Sequence, residues 1–114
     1  MAKRKTSKWN RRHEFKWKKE TKSTKGHPAY IFESRKNRRK FMIFTHSETT
    51  DGTKNIELKH NIDSSDRSRK SYMRPFYFIG EYTDFEKPYK NYRIHRDDIP
   101  TVNTYKKRSQ NKKK

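Results

Sequence analysis

Two short clusters bring together residue types that move protons and hold phosphate. Gly26-His27-Pro28 and Thr45-His46-Ser47 supply two imidazoles and two hydroxyls. Histidine titrates near neutral pH, so a pair of imidazoles can serve as base and acid. With the Arg74 guanidinium added, the set suits metal-free RNA cleavage. The base takes the proton of a ribose 2′-OH, the cation stabilises charge on the pentavalent phosphate, and the acid protonates the leaving 5′ oxygen. His27, Thr45, His46, Ser47 and Arg74 are therefore the catalytic candidates. A plainer reading competes: His27 simply opens a strand, and Thr45-His46-Ser47 starts a loop through a local side-chain turn. No cofactor or metal is expected. Gly26, Gly52 and Gly80 are too few for a phosphate-cradling loop, the chain has no cysteine, and none of the five histidines pairs at i, i+4 with a glutamate in metalloprotease fashion. Nothing in the spacing favours a site built from His46, His60 and an aspartate.

Strands must position these groups. Pro28-Ala29-Tyr30-Ile31-Phe32-Glu33 and Lys40-Phe41-Met42-Ile43-Phe44-Thr45 are apolar runs on either side of a polar turn that contains Asn37. Pro28 suits a strand's first position, where its missing N–H is tolerable. If the two strands form a hairpin with Ile31 near Phe41, His27 falls beside Thr45 and His46. The unbroken second run predicts burial on both faces. Asp51-Gly52 marks a turn. Asn55–Lys59 alternates as a half-buried strand, and Ser71–Ile79 is a further strand in which Pro75 implies a bulge or an edge. Residues 82–89 read as a loop and 92–95 as a short strand. Asp97 or Asp98 caps a terminal helix with Pro100 in its first turn and Ile99 and Val102 facing inward. The expected fold is mainly β, a small barrel or half-barrel of five strands with one short C-terminal helix.

Charge divides the chain. The formal net charge is +19, of which residues 1–25 carry +9, residues 105–114 carry +6 and residues 26–104 only +4. The expected organisation is a basic flexible N-terminal tail (1–25), a small β-barrel domain (26–104) and a basic C-terminal tail (105–114). Lysine and arginine neutralise phosphate and release its counterions, so nucleic acid is the expected partner, RNA before DNA. The candidate contacts are Trp9, Arg11, Arg12, Trp17, Lys18, Lys19, Arg35, Arg38, Arg39, Lys106, Lys107 and Arg108. Basic residues interleaved with tryptophan can also stack on unpaired bases. No run approaches the ~20 apolar residues of a membrane span. Trp9 and Trp17, eight apart with Arg12, His13 and Lys16 between them, make a poor amphipathic helix. The start of the chain lacks the apolar stretch of a secretory signal, so a cytoplasmic location is expected.

At the chemical clusters the chain resembles a known family. His27-Pro28-Ala29-Tyr30-Ile31-Phe32, Phe44-Thr45-His46-Ser47 and Ser71-Tyr72-Met73-Arg74-Pro75, followed by a short helix, are similar to the MazF/PemK-like toxins over roughly residues 26–106. The resemblance implies an SH3-like small barrel, a metal-independent endoribonuclease, a homodimer and an acidic antitoxin partner. It puts Thr45 at the family's catalytic Thr and Ser47 at the Ser beside it. His27 stands where the family has an Arg before Pro, so positive charge there depends on protonation. The basic tails are additions to the family pattern. The alternative is a non-catalytic RNA- or DNA-binding accessory protein of a mobile element, phage or ribonucleoprotein complex; a third reading is an adaptor or inhibitor that docks on an RNA-loaded machine.

Overall fold

The computed structural model describes residues 9–18, 26–63, 70–88 and 92–109. The chain is mainly β, with a curled half-barrel sheet and one short C-terminal helix, as expected. The strands among the described residues are β1 (Asn10–Lys18), β2 (His27–Arg35), β3 (Arg38–Thr45), β4 (Thr49–Thr50), β5 (Thr53–Lys54), β6 (Ile56–Glu57), β7 (Tyr72–Glu81) and β8 (Phe85–Pro88), and the helix is α1 (Ile99–Tyr105). Six strands form one antiparallel sheet in the order β6-β7-β3-β2-β1-β8, and β4 and β5 pair with each other. No helix is long and apolar enough to cross a membrane among the described residues.

The β2–β3 hairpin is the centre of the fold. Ile31 pairs with Phe41 and Ala29 with Ile43, the register expected from the two apolar runs. A two-residue turn, Lys36-Asn37, joins the strands, with Lys36 at φ 54°. Phe41, Met42, Ile43 and Phe44 are all buried, so β3 is covered on both faces. Alternation sends Met42 and Phe44 to one cluster, with Phe15, Phe32, Leu58, Ile62, Met73 and Val102. Phe41 and Ile43 go to the opposite face, with Ala29, Ile31 and Phe85. Between Met42–Tyr77 and Phe44–Met73 the register slips, so Pro75 falls in an irregular stretch of β7, where its missing N–H leaves no gap in the ladder. Asp51 and Gly52 both have positive φ (49° and 79°), which gives the β4–β5 hairpin a turn twisted to match its strands.

Several expectations are corrected. The N-terminal boundary at residue 26 does not hold: β1 lies inside the sheet, paired to β2 and β8, and Phe15 is buried against Tyr30 and Phe44. Backbone pairing on both sides holds this strand although most of its side chains are charged. The C-terminal boundary at 105 shifts as well, because Tyr77 N–H donates to Arg108 O at 2.7 Å and Tyr77 forms a bridge with Ser109. Residues 82–88 are not a loop; a 3-10 turn (Tyr82–Asp84) leads into β8, whose Phe85 caps the second cluster. Residues 92–95 form no strand, only the single bridge Asp63–Tyr92. Val102 points inward as expected, but Ile99 is exposed. Asp98 stands at the helix N-cap without a side-chain capping bond, because its carboxylate faces the chain after β6 instead.

Candidate nucleic-acid interface and a histidine-lined pocket

The hairpin register carries His27 to the end of β2 beside the end of β3. His27, Thr45, His46 and Ser47 line one cavity of about 380 Å³, together with Asn61, Ile62, Ser71 and Tyr92. Four of the five catalytic candidates therefore converge. Arg74 does not line this cavity. Its Nη1 donates to Asn55 Oδ1 at 2.7 Å and to Thr50 O at 3.3 Å, and its guanidinium lies over the Phe76 ring. The irregular stretch around Pro75 separates Arg74 from the regular β3–β7 pairing, and burial lowers the guanidinium pKa.

The polar atoms of the pocket hold its own walls. Ser47 N–H donates to Thr45 Oγ1 at 3.2 Å, the local side-chain turn that the plainer reading expects. His46 Nδ1 lies 2.7 Å from Lys70 O. A carbonyl only accepts, so Nδ1 carries the proton and Nε2 of neutral His46 keeps its lone pair. Buried Ser71 donates to Asn61 Oδ1 at 2.6 Å and accepts Ile62 N–H at 3.1 Å, which ties the loop after β6 to the start of β7.

A larger groove of about 1020 Å³ lies across the sheet beside α1. Half-buried Tyr30, Tyr77 and Tyr92 and buried Phe32 line it with aromatic rings, and Arg11, Lys40, Arg93, Lys106 and Lys107 supply cations. Lys106 is central. Its Nζ sits 5.2 Å from the Phe32 ring centre and 5.6 Å from that of Tyr30. Burial, and then the Arg11 charge, lower its pKa, while Glu33 opposes them. His13 stacks on Tyr30 at 5.9 Å; burial, then Lys106, then Arg11 lower its pKa. Glu33 is itself engaged by Lys40 at 3.2 Å. The groove thus gathers more positive charge than its two carboxylates, Glu14 and Glu33, offset. Tyr92 lines both the groove and the smaller pocket, so the two adjoin.

The interface candidates read from the sequence sort around this groove. Arg11, Lys106 and Lys107 line it. Trp9 lies beside its rim, under the cations of Lys40 (4.6 Å) and Arg35 (5.3 Å). Arg35 and Arg38 face each other at the hairpin tip, an unfavourable like-charge pair, and Arg39 donates there to Lys36 O and Arg38 O. Arg108 lies over Tyr105, and Lys18 sits at the end of β1 opposite His27 and Phe85. Lys19 lies outside the described residues, and Arg12 and Trp17 are placed by their backbone alone. Sequence reasoning missed the groove's floor, which depends on β1 joining the sheet, and Lys40, which faces Glu33 across the β2–β3 hairpin. It also missed the one set of three or more adjacent metal-type donors among the described residues, His60, His95 and Asp97.

Comparison with protein-family models, curated proteins and solved structures finds no match to this chain.

Proposed function

We propose that the protein binds single-stranded nucleic acid, RNA before DNA, in the groove beside α1. The observation that carries this reading is Lys106, a half-buried cation held over Tyr30 and Phe32 beside Arg11, in a groove with too few acids to neutralise it. A phosphate would supply the missing charge, and the ring faces would stack unpaired bases whatever their sequence. Fluorescence anisotropy with labelled single-stranded RNA, single-stranded DNA and duplexes tests it. The double variant Lys106→Glu, Lys107→Glu should weaken RNA binding more than about tenfold and flatten the salt slope by roughly one to two units. Unchanged affinity would sink the reading.

The smaller pocket favours a second step at the same ligand, metal-independent RNA cleavage of the kind that the MazF/PemK-like resemblance implies. A strand lying in the groove passes Tyr92 and brings a phosphate to His27, Thr45, His46 and Ser47. His46 Nε2, with its lone pair set by the Lys70 carbonyl, takes the 2′-OH proton. The 2′ oxygen attacks phosphorus, the bond to the 5′ oxygen breaks, and protonated His27 supplies that oxygen's proton. Thr45 and Ser47 position the phosphate, while Arg74 stays with Asn55 and Thr50. With EDTA present, mixed-sequence RNA should be cut by the native protein and spared by His27→Ala and Thr45→Ala. RNA left whole by the native protein between pH 6 and 8 would end the cleavage reading and leave the binding one standing.

A further inference from the structure

The cluster of His60, His95 and Asp97 lines neither cavity, yet it brings together three ligand-type side chains from two distant parts of the chain. His60 follows β6, and His95 and Asp97 precede α1. His60 Nε2 lies 3.0 Å from Asp97 Oδ2, and His95 Nδ1 lies 3.6 Å from the same oxygen. Around a tetrahedral ion with metal–ligand bonds of about 2.0–2.1 Å, neighbouring donor atoms sit roughly 3.3 Å apart. The two measured separations bracket that edge. The imidazole rings are stacked, with centres 3.6 Å apart and planes 21° from parallel. Imidazole lone pairs lie in the ring plane, so the two rings, both exposed, must turn out of this stack to converge on one ion.

The backbone is prepared for this meeting. Asp98, 2% exposed, accepts Lys59 N–H at 2.8 Å and His60 N–H at 3.0 Å through its two carboxylate oxygens. That clamp fixes the His60 loop on the turn that carries His95 and Asp97, so the donors do not depend on flexible side chains alone to find one another. His95 Nδ1 accepts the Asp97 amide at 3.1 Å and so holds its lone pair on the Asp97 side.

We propose that His60, His95 and Asp97 bind a divalent transition-metal ion of the zinc class, and that the ion staples the loop after β6 to the base of α1. Two imidazole nitrogens and one carboxylate select Zn²⁺, Co²⁺ or Ni²⁺ over the oxygen-seeking Mg²⁺ and Ca²⁺. The ion replaces the proton that His60 Nε2 shares with Asp97, and binding releases that proton to solvent. It takes the His95 Nδ1 lone pair from the Asp97 amide, and both rings, being exposed, can turn to converge on it. Water completes the coordination. Because Val102 and Lys106 extend from the same helical segment into the groove, the staple steadies that wall of the groove without touching its ligand.

Titration of the full chain with Co²⁺, followed by visible absorption and by melting, tests the proposal. The expected result is a tetrahedral Co²⁺ spectrum saturating at one ion per chain, displaced by Zn²⁺ and not by Mg²⁺, with a melting temperature that rises with ion concentration. His60→Ala and His95→Ala, exposed changes whose metal-free melting checks their folding, should each weaken Co²⁺ binding at least about tenfold. His13→Ala and His46→Ala should leave it unchanged. Absence of saturable Co²⁺ or Zn²⁺ uptake by the native chain, or unaltered affinity in both His60→Ala and His95→Ala, would overturn the proposal. RNA affinity measured in parallel separates this result from the nucleic-acid reading, on which it does not rest.

Discussion

The groove beside α1 and the pocket at the ends of β2 and β3 adjoin at Tyr92, but their chemistry is opposite. In the pocket the polar atoms satisfy one another: Thr45 holds Ser47, His46 holds Lys70 O, and Ser71 holds Asn61 and Ile62. In the groove, cations crowd one another and aromatic rings, and burial works against Lys106. A region whose groups are mutually satisfied is stable without a ligand. A region that gathers uncompensated charge gives up stability and is completed by a partner of opposite charge. On this difference the groove, rather than the histidine pocket, is the surface that a partner of opposite charge would complete.

The largest expected effect tests whether the groove belongs to the folded domain at all. Phe15 of β1 forms part of its floor and packs against Tyr30, Phe44 and Tyr92. Phe15→Ala should cost about 3–5 kcal/mol, a large share of the ~5–15 kcal/mol that holds a small domain. Chemical denaturation measures it. A loss under about 1 kcal/mol would mean that β1 is an accessory strand and that the groove is not a fixed feature.

That strand also marks where the sequence stopped being legible. The β2–β3 register could be read because two apolar runs flank one turn, and the meeting of four of the five catalytic candidates, His27, Thr45, His46 and Ser47, followed from it. β1 was hidden because its residues are mostly charged and its hold on the fold comes from backbone pairing with β2 and β8. Its signal was the alternation of Phe15 and Trp17 with Glu14, Lys16 and Lys18, a period of two masked by the charge of the whole segment. Arg74 was misplaced because the register slip at Pro75, which residue types do not locate to one position, decides which neighbours it meets. Asp98 was expected at a cap and instead holds backbone some forty residues away, a contact no local pattern carries.

The second effect separates function from stability within the groove. Lys106→Met keeps the stem over Tyr30 and Phe32 and removes the charge that burial and Arg11 disfavour. RNA affinity should fall about tenfold, roughly 1.4 kcal/mol, while the melting temperature stays level or rises. A fall in both would make Lys106 a structural cation and remove the main support for a phosphate site. The matching change in the pocket should behave in the reverse way. His46→Ala removes the bond to Lys70 O, so stability should drop by about 1 kcal/mol or less, with RNA affinity held within twofold. Cleavage, measured separately, would vanish.

The smallest expected effect is a pH dependence whose sign differs between the free and the RNA-bound protein. Burial, Lys106 and Arg11 lower the His13 pKa below its ordinary 6.5. The folded chain therefore binds fewer protons there than the unfolded one, and His13 subtracts stability as pH falls through the unfolded value towards the folded one. A phosphate in the groove would offset Lys106 and Arg11 and raise the His13 pKa again, so binding takes up a proton and tightens by a few-fold between pH 7.5 and 6. In His13→Gln that part of the dependence should disappear from both the melting and the binding curves. If RNA affinity is flat across this range in the native protein, the phosphate does not sit near His13, and the ligand must lie further along the groove, towards Tyr92 and Arg93.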